Sequence, residues 1–201
     1  LETIRSLLVS RSGMIVNATL DAQGWQAVQP QIARFLEELP VGAASQAAWT
    51  PTLQPQSEGL VIPSQVNYVA KGANLYALGY QEDGAVDVIS HYLRTTWLWE
   101  KVRVQGGAYG GFCLFDRLSG VFSFVSYRDP NLVQTVKNYD GTAGYLKNLE
   151  LSQEELTKAI IGVIGDMDAY QLPDAKGYTS LLRFLMGESD ELRQQRALWP
   201  E

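Results

Sequence analysis

Residues 84–105 read GAVDVISHYLRTTWLWEKVRVQ, and residues 106–129 continue as GGAYGGFCLFDRLSGVFSFVSYRD. The first part carries a helical period. Val86, Ile89, Leu93 and Trp97 fall three and four apart, and Val102 closes the stripe, which predicts a helix over 84–105. The second part changes period. AYGGFCLFD (108–116) and SGVFSFVSYR (119–128) are β-rich runs around the tight turn DRLSG, which predicts a hairpin.

Working outward, VNYVAKGA (66–73) and GLVIP (59–63) read as two further short strands, and GMIVNATLD (13–21) as another. Helices are expected over 1–10, over 22–40 up to Pro40, and over 129–149 behind Asp129-Pro130. Pro30 is expected to kink or interrupt the second of these. Further helices are expected over 151–173, where Ser152 and Glu155 form a capping box, over 174–186, and from Ser189 onward. Residues 41–58, VGAASQAAWTPTLQPQSE, show no period and read as a surface loop. Joins as short as these cannot carry the crossovers of a parallel sheet. The expected fold is therefore α+β: one unit over residues 1–201, its mostly antiparallel sheet carrying long helices on one face.

Bulk properties narrow the function. The chain has 201 residues, 46% hydrophobic and 19% charged, with a net charge of −6. Nucleic-acid binding normally needs a basic surface, so it is not expected. No apolar run approaches the roughly 18 residues of a membrane helix, and the N-terminus LETIRSLLVSRSG lacks a signal-peptide layout. One cysteine, Cys113, excludes an internal disulfide, and its apolar neighbours suggest a buried, inert thiol. One histidine, His91, lies on the long helix and reads as structural. Neither H-x-x-E-H nor H-E-x-x-H occurs, so no metal site is expected in this chain. Asp166 and Asp168 are two apart on a helix and diverge by about 200°, so they do not form a carboxylate pair. The doubled glycines run from helix to strand, the reverse of a phosphate cradle.

Arg103 and Tyr109 stand on either side of Gly106-Gly107. Two readings stay open on the residues alone. Arg103 can satisfy helix-end carbonyls while Tyr109 fills the core and the glycines cap the helix. Alternatively, the glycines clear space for a guanidinium and a phenol to project together. Those groups suit a peptide carbonyl or a developing oxyanion. Neither serves readily as a base at neutral pH, with pKa values roughly above 12 and about 10. Asp129 reads as a cap before Pro130.

LWEKVRVQGGAYGGFCLFD (98–116) followed by GVFSFVSYRDPNL (120–132) resembles the C-terminal region of pitrilysin/insulinase-type zinc metallopeptidases, in their presequence-protease branch. The resemblance is specific over about 84–140, where the helix, R-x5-Y, the glycines and SYRDP occur in order, and looser over 1–40 and 150–200. It implies the LuxS/mitochondrial processing peptidase-like metallohydrolase fold. It also implies the last of four related units in a longer chain, here cut short at its C-terminal end. The zinc site would lie in the N-terminal half of that polypeptide, with extended peptides as substrates and no cofactor in this chain. By resemblance, Tyr109 would bond the scissile carbonyl as it becomes tetrahedral. Arg103 would grip nearby substrate backbone or hold Tyr109, and Gly106 and Gly107 would let the peptide approach. A bacterial cytoplasm or an organelle interior is the implied compartment. The alternative is a catalytically silent unit of the same fold, serving structure or peptide binding.

Overall fold

The computed structural model describes residues 1–42, 48, 50, 56–189, 191 and 194. The loop expected over 41–58 and the helix expected from Ser189 fall largely outside the described residues. The chain groups into two compact units.

One unit holds Leu1–Leu60 and Gln171–Gly187. Its helices are α1 (Glu2–Leu8), α2 (Ala22–Glu38) and α6 (Pro173–Met186). Asp21 caps α2 by accepting a hydrogen bond from the Gly24 amide at 2.6 Å, and Pro30 lies within that helix. Pro173 opens α6, and Gly187 closes it at φ +68°. The strand expected over 13–21 does not form. A strand needs a neighbour for its amides. This segment instead meets α6, where the Asn17 side-chain amide donates to the Gly177 carbonyl at 3.0 Å.

The other unit holds Val61–Tyr170, with Glu188 and the described residues beyond. It contains a three-stranded antiparallel sheet in the order β1 (Asn67–Asn74), β3 (Val121–Asp129), β2 (Gly110–Asp116). Helices α3 (Ala85–Thr95), α4 (Val133–Lys147) and α5 (Gln153–Met167) belong to the same unit. The α+β expectation, an antiparallel sheet with helices on one face, describes this unit. The expected strand at 59–63 does not form, and Leu60, Val61 and Ile62 remain exposed without sheet partners.

Alternation along the strands sets the two faces. Val69, Cys113, Phe122 and Phe124 point inward and pack with Leu93, Leu98, Val102 and Tyr139. The Phe124 ring stacks on Tyr139 of α4 at 5.1 Å. On the other face Tyr68, Phe112, Leu114 and Tyr127 stay exposed. The β2–β3 turn is built by Asp116, which accepts from the Leu118 amide at 3.1 Å and the Ser119 hydroxyl at 2.5 Å. The capping box at Ser152 and Glu155 is present and starts α5.

The long helix expected over 84–105 is broken. The α-helix ends at Thr95, Thr96 leaves helical geometry at φ −120°, ψ −86°, and Trp99–Val104 forms a π-helical turn. The hydroxyls of Thr95 and Thr96 donate back to the Tyr92 carbonyl at 3.2 and 2.6 Å. Such back-bonding competes with the helix ladder and bends it.

Candidate substrate-positioning site

The π-helical turn carries Arg103 out of the helix towards the start of β2. In a π turn each amide reaches one carbonyl further back, which widens the coil and shifts the side chains that follow. The Gln105 amide donates to the Glu100 carbonyl at 2.9 Å, and the Ala108 amide to the Val102 carbonyl at 3.1 Å.

The four glycines of GGAYGG have distinct jobs. A Cβ at Gly106 would lie 2.6 Å from the Val102 carbonyl oxygen, so only glycine lets the chain pass this close to the π turn. Gly107 takes the left-handed conformation at φ +76°, as expected of a helix end. A Cβ at Gly111 would press on the Val102 side chain at 2.9 Å, while the Phe112 ring folds over Gly110. Together they draw the π turn against the sheet and leave Tyr109 standing between.

Tyr109 is 64% exposed. Among the described residues its hydroxyl has no hydrogen-bond partner. The Arg103 guanidinium carbon lies 5.4 Å from the centre of its ring and 6.0 Å from that of Trp99, a cation–π arrangement on two aromatic surfaces. One Arg103 nitrogen, Nη1, donates to the Ala108 carbonyl at 2.9 Å. The guanidinium has five N–H donors in a planar fork, so this single bond orients it and leaves donors for a ligand. The core-tyrosine alternative for Tyr109 does not describe the structure. The Arg103 bond goes to Ala108, beyond the end of the turn at Val104, and not to a helix-end carbonyl.

Helix α4 and the turn that leads into it brace the ledge. The Asn131 side-chain amide donates to the Gly106 carbonyl, and that of Asn138 to the Lys101 carbonyl at 3.2 Å. Asp129 is fully buried, and its carboxylate accepts from the Asn131 amide at 2.8 Å and the Thr135 hydroxyl at 2.7 Å. It is therefore a turn-former at the end of β3 and not the N-cap of α4, a position held by Leu132.

His91 and Cys113 lie apart from the ledge. His91 packs against Gly162 of α5, and its Nδ1 is 3.6 Å from Asp166 Oδ2. Cys113 Sγ lies 3.4 Å from the Ser90 carbonyl, and burial pushes its thiol up to about 11. Among the described residues no group of three or more His, Cys, Asp or Glu is placed to hold a metal ion.

A family profile described as the PreP C-terminal domain matches residues 57–198. The chain belongs to the PreP C-terminal domain family. That match takes in the sheet, the π turn and the whole Arg103–Tyr109 ledge. Presequence protease 1, chloroplastic/mitochondrial, of Arabidopsis thaliana is 54% identical over 98% of this chain and 18% of its own length. Protein HypA of Clostridium perfringens is 30% identical over 98% of this chain and 20% of its own. The mitochondrial presequence protease of Saccharomyces cerevisiae is 27% identical over 98% and 20% respectively. This PreP C-terminal domain thus spans about a fifth of the length of the curated relatives it matches.

The residues around the ledge that sequence reasoning missed are Trp99 and Tyr127. Trp99 stands four residues before Arg103, a spacing that places two side chains on one helical face. Tyr127 is the outward-facing member of β3 directly opposite Gly110, a pairing that sequence alone does not give.

Proposed function

We propose that this chain is the non-metal, C-terminal unit of a longer, four-unit zinc metalloendopeptidase that degrades short unstructured or targeting peptides. The unit positions the peptide and stabilises the oxyanion. The observation that carries this reading is the pairing of an exposed, unbonded phenol with an oriented guanidinium at the open rim of the sheet. Tyr109 donates its O–H to the scissile carbonyl oxygen as that oxygen gains charge. Arg103 donates its remaining N–H groups to adjacent peptide backbone. Gly106 and Gly107 keep the ledge low where the peptide passes.

The residues of this chain do not fit zinc. The one histidine and the one cysteine are held in separate packing contacts, and the buried thiol stays protonated near neutral pH. Zinc and its ligands are assigned to the N-terminal half of the same polypeptide, the principal partner of this unit. An organelle interior or a bacterial cytoplasm suits such a protein, as the chloroplastic/mitochondrial naming of one relative suggests.

The test is Tyr109→Phe in the full-length parent. Removing one oxyanion donor lowers kcat on the order of 10²–10³-fold, and the same loss is expected here for a short peptide. Turnover within about twofold of wild type, against that scale, would establish the silent structural reading instead.

A further inference from the structure

Tyr109 has an orientation problem. It projects from the bend just before β2, with glycines at 107 and 110 giving no lateral support, and it is largely exposed. An exposed aromatic side chain hops between rotamers on the picosecond-to-nanosecond scale unless packing stops it. A donor that must meet a developing oxyanion has to be held within about 0.5 Å of its working position.

The fold supplies a second wall. The Tyr127 ring meets the Tyr109 ring at 5.7 Å and 75°, edge against face, while the Arg103 guanidinium stands over the Tyr109 ring at 5.4 Å. Tyr127 is itself held by Tyr68 of β1 at 5.4 Å and 73°. The backbone carries the same tie, since the Tyr109 amide donates to the Tyr127 carbonyl at 3.0 Å and the Arg128 carbonyl at 3.4 Å.

Tyr127 follows the regular outward alternation of β3, in unbroken register with Gly110 of β2, and the pairing with β1 is irregular just beside it. In the β1–β3 register Asn67 pairs with Asp129 and Val69 with Ser126, so Tyr68 alone faces both Tyr127 and Arg128. This is a β-bulge, and Arg128 takes the left-handed conformation at φ +49° within it. Arg128 is the one non-glycine residue with positive φ among the described residues. The bulge sets both Tyr127 and Arg128 against Tyr68, which places the Tyr68 ring beside Tyr127.

From this geometry we propose that Tyr127 is a positioning residue: its ring, set by its register opposite Gly110 and propped by Tyr68, fixes the direction of the Tyr109 phenol against Arg103. The proposal rests on the reading of Tyr109 as the carbonyl donor. The contact is made by the ring and does not use the Tyr127 hydroxyl, which sets apart two substitutions at one position.

The test uses the full-length parent with kcat and KM measured on a short unstructured peptide. Tyr127→Phe keeps both constants within about twofold of wild type. Tyr127→Ala lowers kcat on the order of 10–10²-fold, as small misplacements of a reacting group do, with KM little changed. On a Tyr109→Phe background, Tyr127→Ala costs nothing further. The proposal is overturned if Tyr127→Ala is as fast as wild type while Tyr109→Phe is slow. It is also overturned if Tyr127→Phe is as slow as Tyr127→Ala, or if the alanine loss persists undiminished on the Tyr109→Phe background. A readout independent of turnover is the fluorine resonance of 3-fluorotyrosine placed at position 109. Tyr127→Ala is expected to shift and sharpen it, and Tyr127→Phe to leave its width unchanged. An unmoved line in Tyr127→Ala refutes the clamp whatever the kinetics. A moved line together with a wild-type rate for Tyr109→Phe leaves the clamp standing and removes the catalytic reading.

Discussion

Cys113 and Tyr139 show how burial governs single residues in this unit. Cys113 is 2% exposed on the inner face of β2. Removing a thiolate from water is costly, so its pKa rises to about 11, chiefly through burial and against smaller opposing effects of the Ser90 side chain and the Arg94 charge. Tyr139 is pushed up to about 12 for the same reason. Both folded values exceed the unfolded ones, near 8.5 for Cys and 10 for Tyr. The stabilisation from keeping these groups neutral is thus complete below about pH 8.5. It declines as pH rises through the folded values. Two outcomes follow. At pH 8 iodoacetamide should leave Cys113 unmodified in the native protein and alkylate it fully in denaturant. The denaturation midpoint should fall progressively from about pH 9 to 11. Fast native-state alkylation would show the thiol exposed. At this scale the buried thiol was legible, because Cys113 lies in an apolar alternating run. The aromatic contact of Tyr127 with Tyr109 was not, because strand register alone brings Tyr127 to Tyr109 and Tyr68 to Tyr127.

At the scale of the element, the π turn and its glycines decide where the ledge stands. The apolar stripe Val86, Ile89, Leu93, Trp97, Val102 was readable, and Val86, Leu93 and Val102 are buried while Ile89 is exposed, but it implied a single helix. Periodicity carries no mark for one extra residue in a turn, and the Thr95–Thr96 back-bonding acts through hydroxyls that pattern reading counts only as polar. The glycines were read as clearing room for a ligand. In the structure Gly106 and Gly111 answer first to the close approach of the π turn. Gly106→Ala is therefore expected to lower stability by about 1–3 kcal/mol, since the rigid Val102 carbonyl cannot give way as a flexible side chain could. Urea denaturation checks this through a lower midpoint at unchanged slope. A midpoint equal to wild type would mean the turn relaxes freely and the glycine is not required there.

At the scale of the whole molecule, the unit that holds the sheet covers one face of it with its own helices. Helices and the core lie inside, while Tyr68, Tyr109, Phe112, Leu114 and Tyr127 remain exposed outside. The α+β class and the hairpin were legible because the helix-to-strand change of period is abrupt near residue 106. The segments at 13–21 and 59–63 were not. Their apolar residues match strand composition, but strand formation depends on a pairing partner that composition cannot reveal. On the function proposed above, the two donors of the ledge serve chemistry completed by the rest of a longer chain. In that account Arg103 and Tyr109 act as one device. The guanidinium orients the phenol, and each is of little use without the other.

The most direct measurement is a double-mutant cycle on kcat in the full-length parent: Arg103→Lys, Tyr109→Phe and both together. Lysine keeps the charge and loses the planar fork that stacks on the ring. The account expects each single change to cost at least about tenfold, and the double to be no more than about threefold slower than the slower single, because residues acting as a unit are not additive. Singles at the wild-type rate, or losses that multiply in full, would contradict it.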